Sequence, residues 1–257
     1  MKIIIAGYGF VGKAVADSLK DTHELYIVDP KYNRNSISQY SHADCMIVCV
    51  GTPSAKDGNC DISQVESVLY DAPYGMPILI KCTVPPDYLE KLIIDYPNTE
   101  ISYSPEFLRA ASATDDFKNQ TYMIIGGDNF IFWKEIFEVA LHHCQAYLNT
   151  TIAEASMIKY ATNTFLSVKV TFFNQLYDMC LAGNVDYDVV KQLLSYDHRI
   201  GASHMQVPGP DGHRGYGGGC FPKDTNAFVH YSDRLNTKVS VLESAIKYNK
   251  KIRKTLT

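Results

Sequence analysis

Cys220 closes a run of glycines in Gly215-Tyr216-Gly217-Gly218-Gly219-Cys220-Phe221-Pro222-Lys223-Asp224. Glycines lack a Cβ, so a backbone built from them reaches positive φ and can approach a ligand closely. A thiol held there is accessible to an electrophilic carbon. Pro222 suits the first turn of a helix, where a missing N–H costs nothing. Cys220 is then expected beside a helix N-terminus, whose dipole lowers a thiol pKa. Asp224, four residues on, returns to the same face. Taken alone, the stretch has a second reading: a glycine-rich turn around an inert cysteine, because free cysteines are most often small buried hydrophobes.

A second set of residues points to a dinucleotide. Gly7-Tyr8-Gly9-Phe10-Val11-Gly12 follows the β-branched run Lys2–Ala6 and opens a helical stretch that reaches Leu19. Another apolar run, Glu24–Val28, ends on Asp29, about 20 positions beyond the first glycine. This is G-x-G-x-x-G with strand before, helix after and an acidic residue at the right distance. Gly7 makes the tight turn, Gly9 lets the backbone approach a pyrophosphate, and Gly12 allows close helix–strand packing. The helix N-terminus attracts phosphate. Asp29 is expected to hydrogen-bond the ribose hydroxyls and to repel a 2′-phosphate, which favours NAD over NADP. Lys31 and Arg34 just beyond soften that preference. The alternative is a similar fold that binds no nucleotide.

The elements that must position these groups follow from periodicity. Apolar runs at Lys2–Ala6, Glu24–Val28, Cys45–Val50, Pro77–Lys81, Ile101–Tyr103 and Tyr122–Ile125 read as strands. Helical stretches alternate with them: 10–19, Asp61–Leu69 with Asp61 and Gln64 as a capping box, and Ile131–Leu141. Such alternation predicts an α/β fold, a doubly wound parallel sheet of the Rossmann type. In these sheets ligands sit at the carboxyl ends of strands, where Thr52, Thr83 and Glu106 fall. Each of the three also has a local reading, as a turn threonine or a solvated glutamate. From about Thr151 the pattern changes. Ala153–Leu181 has no internal glycine or proline and reads as one long helix, with Lys159 and Asn163 four apart on one face. Helices over Asp186–Leu194, Phe221–Leu235 and Val239–Arg253 complete an all-α part. The expected division is residues 1–150, a dinucleotide-binding domain, and 151–257, a helical domain.

Composition narrows the classes. Among 257 residues, 46% are hydrophobic and 20% charged, with a net charge of −4. That is ordinary for a folded soluble protein and offers no basic surface for nucleic acid. No apolar run has transmembrane length, and the first residues read as a strand rather than a signal peptide. Seven cysteines, scattered and without a Cys-x-x-Cys pair, suggest the reducing cytoplasm and no zinc site. His142 and His143 are adjacent, with no suitably spaced carboxylate, and are expected at the surface. No metal site is expected.

Read together, the motifs resemble the UDP-glucose/GDP-mannose dehydrogenase family. The matching pieces, in the family's order, are Gly7–Gly12, Val50-Gly51-Thr52-Pro53, Cys82-Thr83-Val84-Pro85, Ser104-Pro105-Glu106-Phe107-Leu108-Arg109, Lys159-Tyr160-Ala161-Thr162-Asn163-Thr164-Phe165, Arg199-Ile200-Gly201 and Gly215–Asp224. The resemblance implies an NAD-dependent, four-electron oxidation of a nucleotide sugar, UDP-glucose foremost, with Cys220 as the nucleophile. It implies that Lys159 and Asn163 stabilise the oxyanion, that Asp224 and Thr83 hold the water, and that Glu106 assists hydrolysis. The cofactor is expected on Gly7, Tyr8, Gly9, Phe10, Val11, Gly12, Asp29, Thr52 and Thr83. The substrate is expected on Glu106, Phe107, Leu108, Arg109, Lys159, Asn163, Gly217 and Lys223. Arg199 is expected to reach the neighbouring site of a homodimer built on the long helix.

Against the family pattern, the segment between Asp29 and Cys45 is short, and Ala110 replaces a common glutamate. The sequence stops at Thr257 after the connecting helix. The expectation is therefore a form without the C-terminal UDP-binding domain, with the loop His204 to Arg214 replacing part of its cover. Two other readings compete: a two-electron β-hydroxyacid-type dehydrogenase that needs no thiol, and a non-catalytic NAD-binding dimer.

Overall fold

The structure, a computed structural model, describes residues 1–254. They divide into two compact units. One comprises Met1–Ala55 and Cys60–Lys159; the other comprises Lys56–Asn59 and the chain from Tyr160 onward.

The first unit is a seven-stranded sheet with helices on its connections. The strands are β1 (Lys2–Ala6), β2 (Glu24–Val28), β3 (Cys45–Val48), β4 (Pro77–Ile80), β5 (Glu100–Tyr103), β6 (Tyr122–Gly126) and β7 (Ala146–Thr150). The helices are α1 (Phe10–Leu19), α2 (Ser63–Tyr70), α3 (Pro86–Asp95), α4 (Ala113–Lys118) and α5 (Phe130–Glu138). Every residue of β3 is buried, as are Ile3 to Ala6 of β1, which is why these strands read as continuous apolar runs rather than alternating ones. The sheet order is β2-β1-β3-β4-β5-β6-β7. The first five strands are parallel. The order in which strands are added reverses between β1 and β3, and this is the switch point at which doubly wound sheets open a crevice for a nucleotide. The all-parallel expectation fails at one place: β6 meets β5 antiparallel, at Tyr103 and Gly126, and β7 then follows β6 in parallel. Strand direction depends on the route of the connection, here the long segment 104–121, and periodicity does not encode that route.

The core behind the sheet gathers Ile3, Ile5, Val15, Leu19, Ile47, Phe117, Trp133 and Phe137. The anticipated capping box of α2 does not form. Asp61 instead accepts the Ser63 N–H at 2.9 Å, one residue ahead of where a box would place it. The strand β7 and the helix α3, which starts on Pro86, were not anticipated from sequence. Nor was the capping box that launches the long helix: Thr151 Oγ1 accepts the Glu154 N–H, while Glu154 accepts the Thr151 N–H at 2.9 Å.

That helix, α6 (Ile152–Ala182), is 31 residues long, about 46 Å at 1.5 Å per residue. It begins in the first unit and runs on into the second. Gly183 and Asn184, the latter at φ 53°, stop it. Next come α7 (Tyr187–Leu194), α8 (Phe221–Arg234) and α9 (Ser240–Lys254). Asp186 caps α7 by accepting from the N–H groups of Asp188 and Val189. Among the described residues, no helix is long and apolar enough to cross a membrane.

Candidate functional site

At the carboxyl end of β1 the chain turns on Gly7, whose φ is +93°. A Cβ there would lie 2.6 Å from the Cys49 carbonyl carbon, so β1 and the end of β3 approach too closely for any side chain. A Cβ on Gly12 would stand 2.0 Å from the Gly7 carbonyl oxygen. These two glycines are required by packing. Gly9 is not: a Cβ on it would meet nothing within 4 Å. Gly9 is the N-cap of α1, whose first turn carries no acidic residue and no side-chain cap. The start of α1 thus combines open space at Gly9 with no side-chain cap and no acidic side chain, which suits a phosphate.

Asp29, at the end of β2, accepts the Tyr8 N–H at 2.6 Å on one oxygen and the Lys31 N–H at 2.8 Å on the other. The same carboxylate that is suited to a ribose thus also fixes the glycine loop, a second role the motif alone does not reveal. The Tyr8 ring packs on Tyr32 at 4.6 Å. Phe10 is exposed and Val11 half-buried. The open space over Gly9, the uncapped helix start and the carboxylate beside it fit a dinucleotide. NAD bound there would lie along Gly7–Gly12, with Asp29 at its ribose.

Farther along the same strand edge, Thr52 and Thr83 are buried at 7% and 9% exposure, beyond the ends of β3 and β4. Glu106 follows β5, buried, and its Oε2 accepts the Leu108 N–H at 2.8 Å. Its Oε1 accepts from the Lys159 ammonium at 2.9 Å, and its backbone carbonyl accepts from the same ammonium. Lys159 also lies over the Phe107 ring, 5.5 Å from its centroid. Both partners of this pair are buried. The rest of that segment turns elsewhere. Leu108 packs against the core behind the sheet. The Arg109 guanidinium clasps Asp116 through Nε and Nη2, at 3.0 and 2.6 Å, which holds that carboxyl down at about 2.

One polar group near this edge was not singled out from sequence. Lys81 is 2% exposed at the end of β4, and its Nζ donates to the Ser104 Oγ at 3.1 Å and to the Ser104 carbonyl at 3.3 Å. Burial pushes its pKa down to about 8. A lysine closing an apolar strand was the available signal.

In the second unit Cys220 is the N-cap of α8, half-buried, with Pro222 in the first turn. Its carbonyl accepts the Asp224 N–H at 2.8 Å. The Asp224 carboxylate is fully buried. One oxygen accepts from the Asn163 amide at 2.6 Å and the other from Lys223 Nζ at 2.5 Å. A distant amide and a neighbouring ammonium therefore converge on one carboxylate, a single helical turn after the cysteine. Asn163 lies one turn along α6 from Lys159. Gly217 is backed by the Arg253 guanidinium, which would stand 2.4 Å from a Cβ there. Arg199 is highly exposed on the loop after α7, held by Asp197 at 2.6 Å. The loop His204 to Arg214 carries Asp211, which binds Arg253 at 2.8 Å. His142 and His143 follow α5 in an exposed turn rather than lying on the helix. Among the described residues, no group of three or more His, Cys, Asp or Glu side chains could hold a metal ion.

Comparison with known proteins gives the family. Residues 31–138 match the NAD binding domain of the UDP-glucose/GDP-mannose dehydrogenase family, and residues 153–251 match the family's central domain. A UDP-glucose 6-dehydrogenase of Rickettsia felis is 30% identical over 226 residues, which are 83% of this chain and 49% of that protein. One of Bacillus subtilis is 31% identical over 220 residues, 81% of this chain and 49% of that protein. The chain spans about half the length of these curated relatives. Among solved structures, a UDP-glucose dehydrogenase from the archaeon Pyrobaculum islandicum superposes with a TM-score of 0.86 at 24% identity, covering 97% of this chain and 68% of that one. That last likeness speaks to the fold, while the two matched domains cover most of the sequence. The chain belongs to the UDP-glucose/GDP-mannose dehydrogenase family.

Proposed function

We propose that this chain carries out the NAD-dependent, four-electron oxidation of a nucleotide sugar, UDP-glucose to UDP-glucuronate, with Cys220 as the covalent station between two oxidations. The observation that carries this reading is the buried Asp224 carboxylate, held by Asn163 and Lys223 one turn after Cys220. An inert turn cysteine requires no buried charged ensemble beside it. Burying those groups is costly unless they are paired, so their presence favours chemistry at that thiol.

Bound NAD supplies a hydride acceptor, used twice per sugar. The chain's own residues do the rest. Cys220 adds through sulfur to the C6 aldehyde formed by the first oxidation, and the thiol proton passes to the carbonyl oxygen, giving a thiohemiacetal. That adduct again carries a C–H bond that can be oxidised, which the bare aldehyde does not offer in reactive form. The second oxidation leaves a thioester on Cys220. Water then adds to the acyl carbon, the C–S bond breaks, the sulfur regains a proton and the acid is released. Lys159 and Asn163, one turn apart on α6, hold the oxygen that gains charge at each tetrahedral stage. The Asn163 amide nitrogen that donates to Asp224 carries a second hydrogen for this purpose. Asp224 with Thr83 holds the water and moves its proton, and Glu106, which anchors Lys159, assists hydrolysis as a base. Phe107, Leu108, Arg109, Gly217 and Lys223 are assigned to the sugar nucleotide.

We also place the chain in a homodimer in the cytoplasm. Phe165, Phe172 and Met179 are exposed at 66, 57 and 72% and recur every seven residues along α6. Such a stripe is the seam a second copy would cover, and Arg199, exposed on its loop, is assigned to the substrate site of that copy. Among the described residues the seven cysteines form no disulfide, which suits a reducing compartment.

The test is incubation with NAD and a panel of UDP-, GDP- and unlinked sugars, counting NADH per sugar consumed. Two per sugar, with a uronate product, is expected. One per sugar would support a two-electron β-hydroxyacid-type oxidation, and none from any sugar would leave a non-catalytic NAD-binding dimer. Cys220→Ser should abolish acid formation; uronate at the parent rate from that variant overturns the covalent route. Sedimentation of the parent and of Phe172→Asp should show a dimer and a monomer respectively.

A further inference from the structure

The glycine run ahead of Cys220 is pinned from outside by side chains far away in sequence. Gly215, at φ +72°, donates its N–H to Asn174 Oδ1 of α6 at 3.1 Å. The next residue, Tyr216, is held on both sides of its backbone by one amide of α9: its N–H donates to Asn249 Oδ1 at 2.8 Å, and its carbonyl accepts from Asn249 Nδ2 at 3.0 Å. Asn249 thus pairs with Tyr216 as a neighbouring strand would, using donor and acceptor together. It is 6% exposed, although Lys250 and Lys251 beside it are exposed. Four residues along α9, the Arg253 guanidinium donates to the carbonyls of Arg214 and Gly215 at 3.3 and 3.4 Å and pairs with Asp211.

The fit is close. A Cβ on Gly215 would stand 2.2 Å from Asn249 Oδ1, and one on Gly217 would stand 2.4 Å from Arg253 Nη2. By contrast, Gly218 and Gly219 are exposed, and a Cβ on either would meet nothing within 4 Å. Cys220 is therefore joined by two loosely surrounded residues to a backbone anchored at Tyr216 and Gly217, and on its other side to the first turn of α8.

We propose that Asn249 and Arg253 of α9, with Asn174 of α6, are positioning residues for Cys220: they fix the backbone from Arg214 to Gly217 and thereby set where the thiol is presented. This rests on Cys220 being the nucleophile. Misplacing a reacting group by about 1 Å can cost on the order of 100-fold in rate. The loss should fall on kcat rather than KM, because no contact to substrate is removed.

The experiment compares the parent with Asn249→Ala, Arg253→Lys, Gly215→Ala and the exposed control Lys250→Ala. Three quantities are read: hydrogen exchange at the Tyr216 amide, the rate of Cys220 alkylation by iodoacetamide followed on its own peptide, and turnover with NAD and UDP-glucose. Asn249→Ala should expose the Tyr216 amide and speed its exchange at least about tenfold, the loss of a ~1.4 kcal/mol barrier to local opening. Cys220 alkylation should rise severalfold, and kcat should fall about 10- to 100-fold with KM within about threefold. Gly215→Ala, which pushes Asn249 away from the other side, should reproduce the pattern, and Lys250→Ala should match the parent. Arg253→Lys keeps a cation for Asp211 but loses the planar fork; it should show the same changes in milder form, and it decides the matter should Asn249→Ala not fold. Parent-like exchange and alkylation in folded Asn249→Ala or Arg253→Lys overturn the inference. If Cys220→Ser keeps full turnover, the nucleophile reading fails instead, whatever the loop variants do.

Discussion

Lys81 sets up a pH dependence whose sign and size follow from its surroundings. Burial depresses its pKa from 10.5 to about 8. Cys49 and Glu106 pull the value back up and Lys159 pushes it further down. The ammonium is held by two oxygens of Ser104 and lies 5.4 and 5.9 Å from the centroids of Phe117 and Phe137. Below pH 8 the lysine is charged in both the folded and unfolded chain, and the full cost of burying the charge is present. Between about 8 and 10.5 the unfolded chain binds a proton that the folded one does not, so stability rises with pH across that window. At about 1.4 kcal/mol per pH unit, the gap corresponds to about 3 kcal/mol. Lys81→Met removes the titration. It also leaves the Ser104 carbonyl and hydroxyl without their donor, a pH-independent cost of about 1–3 kcal/mol. The difference in stability between parent and variant should therefore shift by about 3 kcal/mol in the parent's favour from pH 7 to pH 10.5. Urea unfolding followed by tryptophan fluorescence measures this cleanly. The sole tryptophan, Trp133, is fully buried in the same unit, and titrations of groups remote from Lys81 cancel in the difference. A stability difference that is flat across this range would refute the reasoning.

The glycine loop offers a separation of packing from binding. Gly9→Val should leave stability within about 1 kcal/mol while weakening NAD binding at least tenfold, because its side chain fills space that only the cofactor needs. Gly12→Ala should cost more than about 2 kcal/mol, since its methyl meets the Gly7 carbonyl; equilibrium dialysis with NAD and urea titration tell the two apart. Asp224→Ala should destabilise the second unit by about 3–5 kcal/mol by leaving the Asn163 amide and the Lys223 ammonium without their shared acceptor. Thermal unfolding followed by far-UV circular dichroism reads this, and a melting temperature equal to the parent's would mean that the carboxylate does not hold the cluster.

Much of the architecture was legible in the chain because it is local. The parallel strands up to β5 and the long helix end within a few residues of where apolar runs and glycines place them, since β-branched runs and the Gly183-Asn184 stop act over one or two turns. The nucleotide crevice was legible for the same reason: Gly7, Gly9, Gly12 and Asp29 lie within a single strand–helix–strand unit. The residues around Cys220 were legible as a motif but not as a cluster. Nothing in the spacing of Asn163 and Asp224, 61 positions apart, says that the amide of one donates to the carboxylate of the other.

What the sequence by itself determined is most of the elements, the glycine turn that suits a dinucleotide, and the placing of a thiol at the start of a helix. Only the tertiary structure decided which polar residues serve that thiol. Asn249 and Arg253 sit in a basic helix whose composition suggests no more than a solvated, dipole-favoured end, and Asn174 sits inside a long helix with no mark of function. They hold the cysteine loop because α6 and α9 bring their inner faces to it. The direction of β6, the burial of Lys81 and the capture of Arg109 by Asp116 were decided in the same way. Periodicity says which side of an element is buried; which group it meets there depends on how distant segments pack.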